Sequence, residues 1–233
     1  MNIVECVDIK KTYQQGKVQV KALRGVTLSI DKGGFVALAG PSGSGKTTML
    51  NIIGGLDLPD SGRVVVDEHA FDRMSQSDLA NLRLYKIGFV FQAYNLIPVL
   101  SASENVEYVM LLQGVPQAER RERASAILDD VGLGGKYDRR PAELSGGQQQ
   151  RVAVARAIVS NPAIVLADEP TANLDSKTGK GLLEMMKEMN EEKKVTFIFS
   201  THDSMVMDYA RRLIRIRDGL VADDEIKSFH DFI

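Results

Sequence analysis

The chain has 233 residues, 44% of them hydrophobic and 26% charged, and a formal net charge of −2. That length buries a sizeable core, and the slightly acidic balance excludes nucleic acid or anionic lipid as the main electrostatic partner. The single cysteine, Cys6, excludes an intrachain disulfide; no run of about 18 apolar residues spans a membrane; and the early charges Glu5, Asp8, Lys10 and Lys11 exclude a signal-peptide core, so the chain is expected in the cytoplasm.

Residues 2–9 and 26–30 are short and β-prone. In the second run Val26, Leu28 and Ile30 alternate with polar residues, as in a strand with one wet face. Cys6 lies in the first run and reads as a small core residue. Residues 35–39 are continuously apolar and end in a glycine-rich turn, which predicts a strand buried on both faces. A helix is expected over 46–53, stopped by Gly54 and Gly55. Residues 62–67 predict a short strand and 87–91 a buried one.

From Gln92 to Ser160 the pattern turns helical, with Ala124, Ile127, Leu128 and Val131 spaced as one helix stripe. Arg120, Arg121 and Arg123 read as a solvated helix face. Strand character returns at 164–167, 195–199 and 213–216. Between the first two of these, Leu182, Met185, Met186 and Met189 mark a helix packed on the sheet. The polar tail after Asp223, with Phe229 and Phe232, has no assigned role. Strand–helix alternation predicts an α/β fold with a mostly parallel sheet, and the helical stretch 93–160 reads as a separate lobe inserted between 1–92 and 161–233.

Gly40-Pro41-Ser42-Gly43-Ser44-Gly45-Lys46-Thr47, followed by Thr48, matches G-x-x-x-x-G-K-[ST] between a strand and a helix. Glycines let successive N–H groups turn inward toward phosphate, and the helix N-terminus adds positive partial charge. Lys46 is expected on the β- and γ-phosphates of a nucleotide and the Thr47 hydroxyl on Mg²⁺. Asp168-Glu169 closes an apolar run, so a parallel strand delivers both acids to the carboxyl edge where ligands bind. Asp168 is expected to hold Mg²⁺ through water, and Glu169 to polarise the attacking water.

Leu144-Ser145-Gly146-Gly147-Gln148, together with the phosphate loop and the acid-tipped strand, closely resembles the ABC ATPase family over essentially the whole chain. The other family motifs stand in family order: Tyr13, Gln92, Asn173-Leu174-Asp175, and His202 within Ser200-Thr201-His202-Asp203. The resemblance implies a P-loop ATPase core with an N-terminal antiparallel β part and an inserted α-helical subdomain. It implies that Tyr13 stacks on adenine, with Val20 beside it, and that Gln92 touches Mg²⁺ or the water. His202 is implied to contact the γ-phosphate and Asp175 to lie at a dimer interface. By spacing, Ser145 and Gln148 form a capping box. The family arrangement adds that Ser145, Gly146, Gly147 and Gln148 meet the ATP held by a second copy, packed head to tail.

Residues 88–98 and 104–106, the long signature stretch 144–157 and the segment 167–175 are similar to the lipoprotein-releasing and macrolide-export branch. Members of that branch power a separate integral membrane permease from the cytoplasmic face of the inner membrane, and residues 93–108 would receive its coupling helix. Thr171-Ala172-Asn173 departs from the commoner T-G-x, a change that matters only where the backbone needs positive φ. Two other readings stay open at this point: the ATPase of a solute importer, and an ABC ATPase without transport. Against the second, the insert lacks the sustained heptads of a coiled coil. His69 and His230 read as surface residues.

Overall fold

A computed structural model describes residues 1–16 and 18–227. Two long strands open it, β1 (Asn2–Gln15) and β2 (Val18–Asp31), followed by β3 (Phe35–Ala39) and helix α1 (Lys46–Ile53). Next come β4 (Ser61–Val66), β5 (His69–Ala70), α2 (Gln76–Lys86) and β6 (Ile87–Val90). Three helices then follow: α3 (Ala102–Leu112), α4 (Gln117–Asp130) and α5 (Gly146–Ile158). The chain returns to the sheet through β7 (Ile164–Asp168), α6 (Ser176–Lys193), β8 (Thr196–Thr201), α7 (Ser204–Tyr209), β9 (Arg212–Arg217) and β10 (Leu220–Ile226).

The strands form two sheets. An antiparallel one has the order β2-β1-β4-β5, and a second has the order β10-β9-β3-β8-β7-β6. In the second sheet β9, β3, β8, β7 and β6 run parallel, and β10 closes the edge as an antiparallel hairpin. Every residue of β3 and of β8 is buried, which is why both lack alternation in the sequence. Successive β3 residues feed opposite layers. Phe35, Ala37 and Ala39 pack with Phe197, Phe199, Met186 and Val154. Val36 and Leu38 pack with Met49, Ile52, Val26 and Ile30, beneath α1 and the antiparallel sheet. Burial of that apolar surface, at about 25 cal/mol per Å², binds the two sheets and their helices into one unit.

Helix α5 is shared. It packs on α3 and α4, and also on β6 and α6. The α4 stripe of Ala124, Ile127 and Leu128 continues the layer to which β3 contributes Phe35. Leu182, Met185, Met186 and Met189 on α6 are buried in the same layer, as their spacing predicts.

Several sequence expectations change. The first two strands are far longer than 2–9 and 26–30, because β1 and β2 remain paired through Tyr13↔Val20 to Gln15↔Val18. Their outer halves are exposed, so no apolar alternation marks them. Helix α2 adds an element that no apolar stripe marks in the sequence; a capping box of Ser75 and Asp78 opens it, and only Leu79 and Leu82 are buried on it. Residues 224–226 of the polar tail belong to β10: Asp224 pairs with Arg212 at 2.6 Å and Glu225 with Arg215 at 3.0 Å, which offsets the poor strand propensity of acids. Arg120 and Arg123 are not a solvated face. They are half-buried, Arg120 donating to Val115 O at 2.7 Å in the turn before α4, and Arg123 to Val159 O at 2.6 Å, which ties α4 to the end of α5. Phe229, His230 and Phe232 lie outside the described residues. His69 is exposed.

Candidate active site

The parallel sheet aligns four segments that are distant in sequence. Ala39 is level with Thr201, and Ser200 with Asp168, while Val90 is level with Ala167. The residues that follow β3, β8, β7 and β6 are the phosphate loop, His202, Glu169 and Phe91-Gln92. They therefore emerge side by side at one carboxyl edge, the position where open α/β sheets bind ligands. A cleft of about 350 Å³ lies there. Val20, Ser42, Gly43, Gly45, Lys46, Thr47, Thr48, Gln92, Asp168, Glu169 and His202 line it, with Lys21 and Ala22 of β2.

The loop from Gly40 to Gly45 needs glycine for steric reasons as well as flexibility. A Cβ on Gly40, at φ 154°, would sit 2.1 Å from Ile216 O; one on Gly45, at φ 106°, would sit 2.6 Å from Ala22 O. Gly45 then starts α1, so backbone N–H groups of the first turn face the cleft with the helix dipole behind them. Lys46 is buried, and its Nζ donates to Gly40 O at 2.8 Å and Pro41 O at 3.0 Å. The buried Ser44 Oγ has no hydrogen-bond partner among the described residues. Both features are those of a cradle built for oxygens that a bound anion supplies.

The Thr47 hydroxyl donates to Asp168 Oδ1 at 3.1 Å. Glu169 stands just past the end of β7 with φ 45°, a left-handed conformation that is uncommon for a non-glycine residue and typical of strained functional positions. Its amide is fixed to Ser200 O at 2.9 Å. One carboxylate oxygen lies 2.7 Å from His202 Nδ1, and the other accepts from Thr201 Oγ1 at 3.3 Å. Thr201 accepts in turn from the Asp203 amide at 2.9 Å, and Asp203 accepts from Thr171 Oγ1 at 2.9 Å. The strand turn, the histidine and the threonine thus hold the acid from three sides.

Two groups of expected site residues lie outside the cleft. Ser145 caps α5 by accepting from Gln148 N at 3.3 Å, and Gln148 Oε1 accepts back from Ser145 N at 3.1 Å. Gly147 fits tightly here, since a Cβ on it would meet Thr178 at 2.3 Å. Asp175 caps α6 through Thr178 N at 3.0 Å, and the Thr178 hydroxyl bond followed by this amide bond holds its carboxyl below the usual range. Tyr13 lies at the edge of the site, directly opposite Val20 in the β1–β2 register. Its hydroxyl donates to Asp57 Oδ2 at 2.7 Å. Burial, and then the Asp57 hydrogen bond, push the phenol up to about 12. Ala172 adopts no left-handed backbone, so the Gly-to-Ala departure is free of strain there.

Beyond Gln92 the chain is clamped. Arg156 of α5 donates to Tyr94 O at 2.9 Å and Asn95 O at 2.6 Å, both at left-handed residues. Burial lowers the pKa of this guanidinium. Asn173 Nδ2 donates to Gln92 O at 2.9 Å. Arg156 also lines a larger groove, about 600 Å³, floored by Phe89 and Phe91 and walled by α2 and α3. Sequence reading gave no role to Thr201, Arg156, Lys21 or Ala22. A threonine at the end of an apolar run beside His202 was the one available signal.

A family model described as ABC transporter matches residues 23–172. The chain is 42% identical over 219 residues to the lipoprotein-releasing system ATP-binding protein LolD of Saccharophagus degradans, covering 94% of this chain and 96% of that one. It is 49% identical over 223 residues to the macrolide export ATP-binding/permease protein MacB of Syntrophobacter fumaroxidans, covering 95% of this chain but spanning only 31% of that longer protein. Among solved structures, the dimeric post-hydrolysis state of the ATP-binding cassette MJ0796 of Methanocaldococcus jannaschii, bound to ADP and Pi, matches with a TM-score of 0.89 at 44% identity, covering 97% of this chain and 100% of that one.

Proposed function

The chain belongs to the ABC transporter family as an ATP-hydrolysing cassette, and from that premise we propose that two copies close head to tail on two ATP molecules to drive a separate membrane permease. The observation that carries this is the division of the site. Lys46, Thr47, Asp168, Glu169 and His202 share one cleft, whereas the Ser145-capped N-terminus of α5 lies outside it, a helix end of the kind that suits an anion. The α5 end of each copy can complete the cleft of the other, and the relative MJ0796 is described as a dimer bound to ADP and Pi.

In this reading Gly40 to Thr48 enclose the phosphates, and Lys46 exchanges its two carbonyl partners for β- and γ-oxygens. Tyr13 and Val20 receive the adenine. Glu169 takes a proton from the attacking water, His202 orients the acid and the γ-phosphate, and Gln92 aligns the water. Ser145, Gly146, Gly147 and Gln148 of the second copy complete the phosphate cage, with Asp175 at the interface. The adjacent hydroxyl and carboxylate of Thr47 and Asp168, with Gln92 in the same cleft, are the hard oxygen donors that suit Mg²⁺. When bound, Mg²⁺ would neutralise charge on the β- and γ-oxygens.

We assign 1–92 with 161–233 to the ATP-binding core and 93–160 to a helical subdomain that carries motion to the permease. The dock is the groove floored by Phe89 and Phe91, whose rings stack at 5.8 Å. The exposed Leu56 and Leu112 extend its apolar surface. Helix α2 contributes Ala80, Arg83 and Leu84 to this groove, and of the expected 93–108 only Asn95 lines it. Arg156 joins the groove to the backbone beyond Gln92, so a helix seated there is felt at the site. No described helix is long and apolar enough to cross a membrane, which fits a peripheral subunit on the cytoplasmic face. The resemblance to LolD and MacB favours lipoprotein release or macrolide-type export.

The test is mass in solution. Glu169→Gln protein with saturating MgATP is expected to double in mass by light scattering, and Ser145→Arg is expected to abolish the doubling while leaving ATP binding intact. A chain that stays monomeric under those conditions, both free and on its permease, would refute the proposal.

A further inference from the structure

We propose that Asp57, with Lys11, is a positioning residue for nucleotide binding: it fixes the Tyr13 ring in place as the platform for the base. This rests on the reading of Tyr13 as the adenine platform, and it adds two residues to which neither motif nor fold assigns a part.

The clamp is carried at the far end of α1. The helix begins at Lys46 and runs for 8 residues, so its far end is about 12 Å from the phosphate grip. The turn beyond it folds back on the helix itself, Leu56 N donating to Asn51 O at 2.9 Å and Asp57 N to the same oxygen at 3.3 Å. Asp57 is thereby carried on the element that holds the phosphates. Its Oδ1 accepts from Leu58 N and from Lys11 Nζ, each at 2.7 Å, and its Oδ2 accepts from the Tyr13 hydroxyl at 2.7 Å.

Lys11 and Tyr13 are two residues apart on β1 and share a face. Lys11 Nζ also donates to Leu58 O at 2.7 Å and sits 5.3 Å from the centre of the Tyr13 ring. A cation over one ring face leaves the opposite face for stacking. Asp60 accepts from Thr12 N at 2.7 Å, which pins the strand between them. Three donors, two from β1 and one from the turn that carries Asp57, therefore meet on one carboxylate, and the ring is ordered before any ligand arrives. An aromatic already held in its working orientation loses less freedom when a base stacks on it.

The depressed pKa of Asp57 agrees with this geometry. Burial raises it, but the hydrogen bonds from Lys11, Tyr13 and Leu58 N outweigh burial and hold the carboxyl below its ordinary value.

The experiment compares equilibrium dissociation constants for MgATP and for Mg-tripolyphosphate, which has the phosphates without a base, across four forms of the full chain. Tyr13→Ala tests the platform and is expected to weaken ATP about tenfold or more while leaving tripolyphosphate unchanged. Tyr13→Phe keeps the ring but removes the tether, and Asp57→Ala removes the anchor. Each is expected to weaken ATP about threefold to tenfold with tripolyphosphate unchanged. If Tyr13→Ala lowers ATP affinity selectively while Tyr13→Phe and Asp57→Ala keep the native ratio of the two constants, the platform stands and the clamp is overturned. If the two clamp variants weaken both ligands equally, their role is structural and the proposal is again overturned. If Tyr13→Ala itself leaves the ratio unchanged, the platform reading fails and the clamp with it.

Discussion

Nδ1 of His202 lies 2.7 Å from Oε1 of Glu169. The histidine side chain is 65% exposed and the acid 15%, so the exposed ring reaches down onto a carboxylate that the fold holds at the cleft wall. If the pair acts as one unit on the attacking water, its members are not independent. Glu169→Gln is expected to lower kcat about 10²–10⁴-fold with ATP affinity retained. His202→Ala is expected to lower it as well, and the double variant to be no slower than Glu169→Gln alone, because units that act together are strongly non-additive. Steady-state ATPase rates with nucleotide binding measured in parallel decide it. Multiplicative losses in the double variant would separate the two roles.

Thr201 contacts the same carboxylate from the other side. It is fully buried, donates to Glu169 Oε2 at 3.3 Å and accepts from Asp203 N at 2.9 Å. Thr201→Val preserves shape and removes both bonds. The expected result is about a tenfold fall in kcat, equal to about 1.4 kcal/mol, with KM for ATP unchanged. Melting temperature should also fall, because the Asp203 amide loses its acceptor, at about 1–3 kcal/mol. Thr201→Ser restores the hydroxyl and should recover kcat more fully than it recovers stability. Equal losses in KM and kcat would mean that the hydroxyl supports binding rather than the placement of Glu169.

The sequence carries the parallel core clearly because its strands are buried on both faces: residues 35–39 and 164–167 read as apolar runs, and β3 and β7 lie there. The phosphate loop is legible for a steric reason, since Gly40 and Gly45 sit where a Cβ would strike Ile216 O or Ala22 O. What the sequence concealed is exposed or relational. The outer halves of β1 and β2 are solvent-facing ladders whose pairing leaves no apolar period. Helix α2 buries only Leu79 and Leu82, too few to mark a stripe. Asp57 and Tyr13 are 44 positions apart, and nothing local to either announces the other. Arg120 and Arg123 looked solvated because charge alone does not report a carbonyl waiting at 2.6 or 2.7 Å.

Gly88 is where the helical layer meets the sheet. It lies on β6, and a Cβ added to it would stand 2.3 Å from Ala157 O and 3.2 Å from the Ala157 side chain. Backbone blocks the new methyl, so α5 itself must move. Gly88→Ala is expected to cost about 1–3 kcal/mol, a fall of roughly 2–10 °C in melting temperature for a chain of this size. The displaced neighbour, Arg156, holds Tyr94 O and Asn95 O, so the loss should extend to ATPase stimulation by the proposed permease partner more than to ATP binding. A melting temperature within about 1 °C of the parent would show that α5 does not press on β6 as closely as drawn.

Cys6 offers a pH test of the antiparallel sheet. It is 1% exposed, and burial pushes its thiol up to about 12, well above the value of about 8.5 for a free cysteine. The folded chain therefore resists thiolate formation that the unfolded chain allows. The sign follows: this contribution to stability is complete below about pH 8.5 and is lost as pH rises toward about 12, at up to about 1.4 kcal/mol per pH unit in between. Other groups titrate in that window, so the quantity to measure is the difference in unfolding free energy between the native chain and Cys6→Ala. At pH 8 the native chain should be the more stable, because alanine leaves a small void where sulfur packs against the β1–β4 interior. By pH 10.5 the order should narrow or reverse, since alanine has no proton to release. Native protein at pH 8 should also resist iodoacetamide while urea-unfolded protein reacts, because only the thiolate is nucleophilic. A pH-independent difference, or rapid alkylation of the native chain, would mean that Cys6 is open to water and that β1 does not seal that layer.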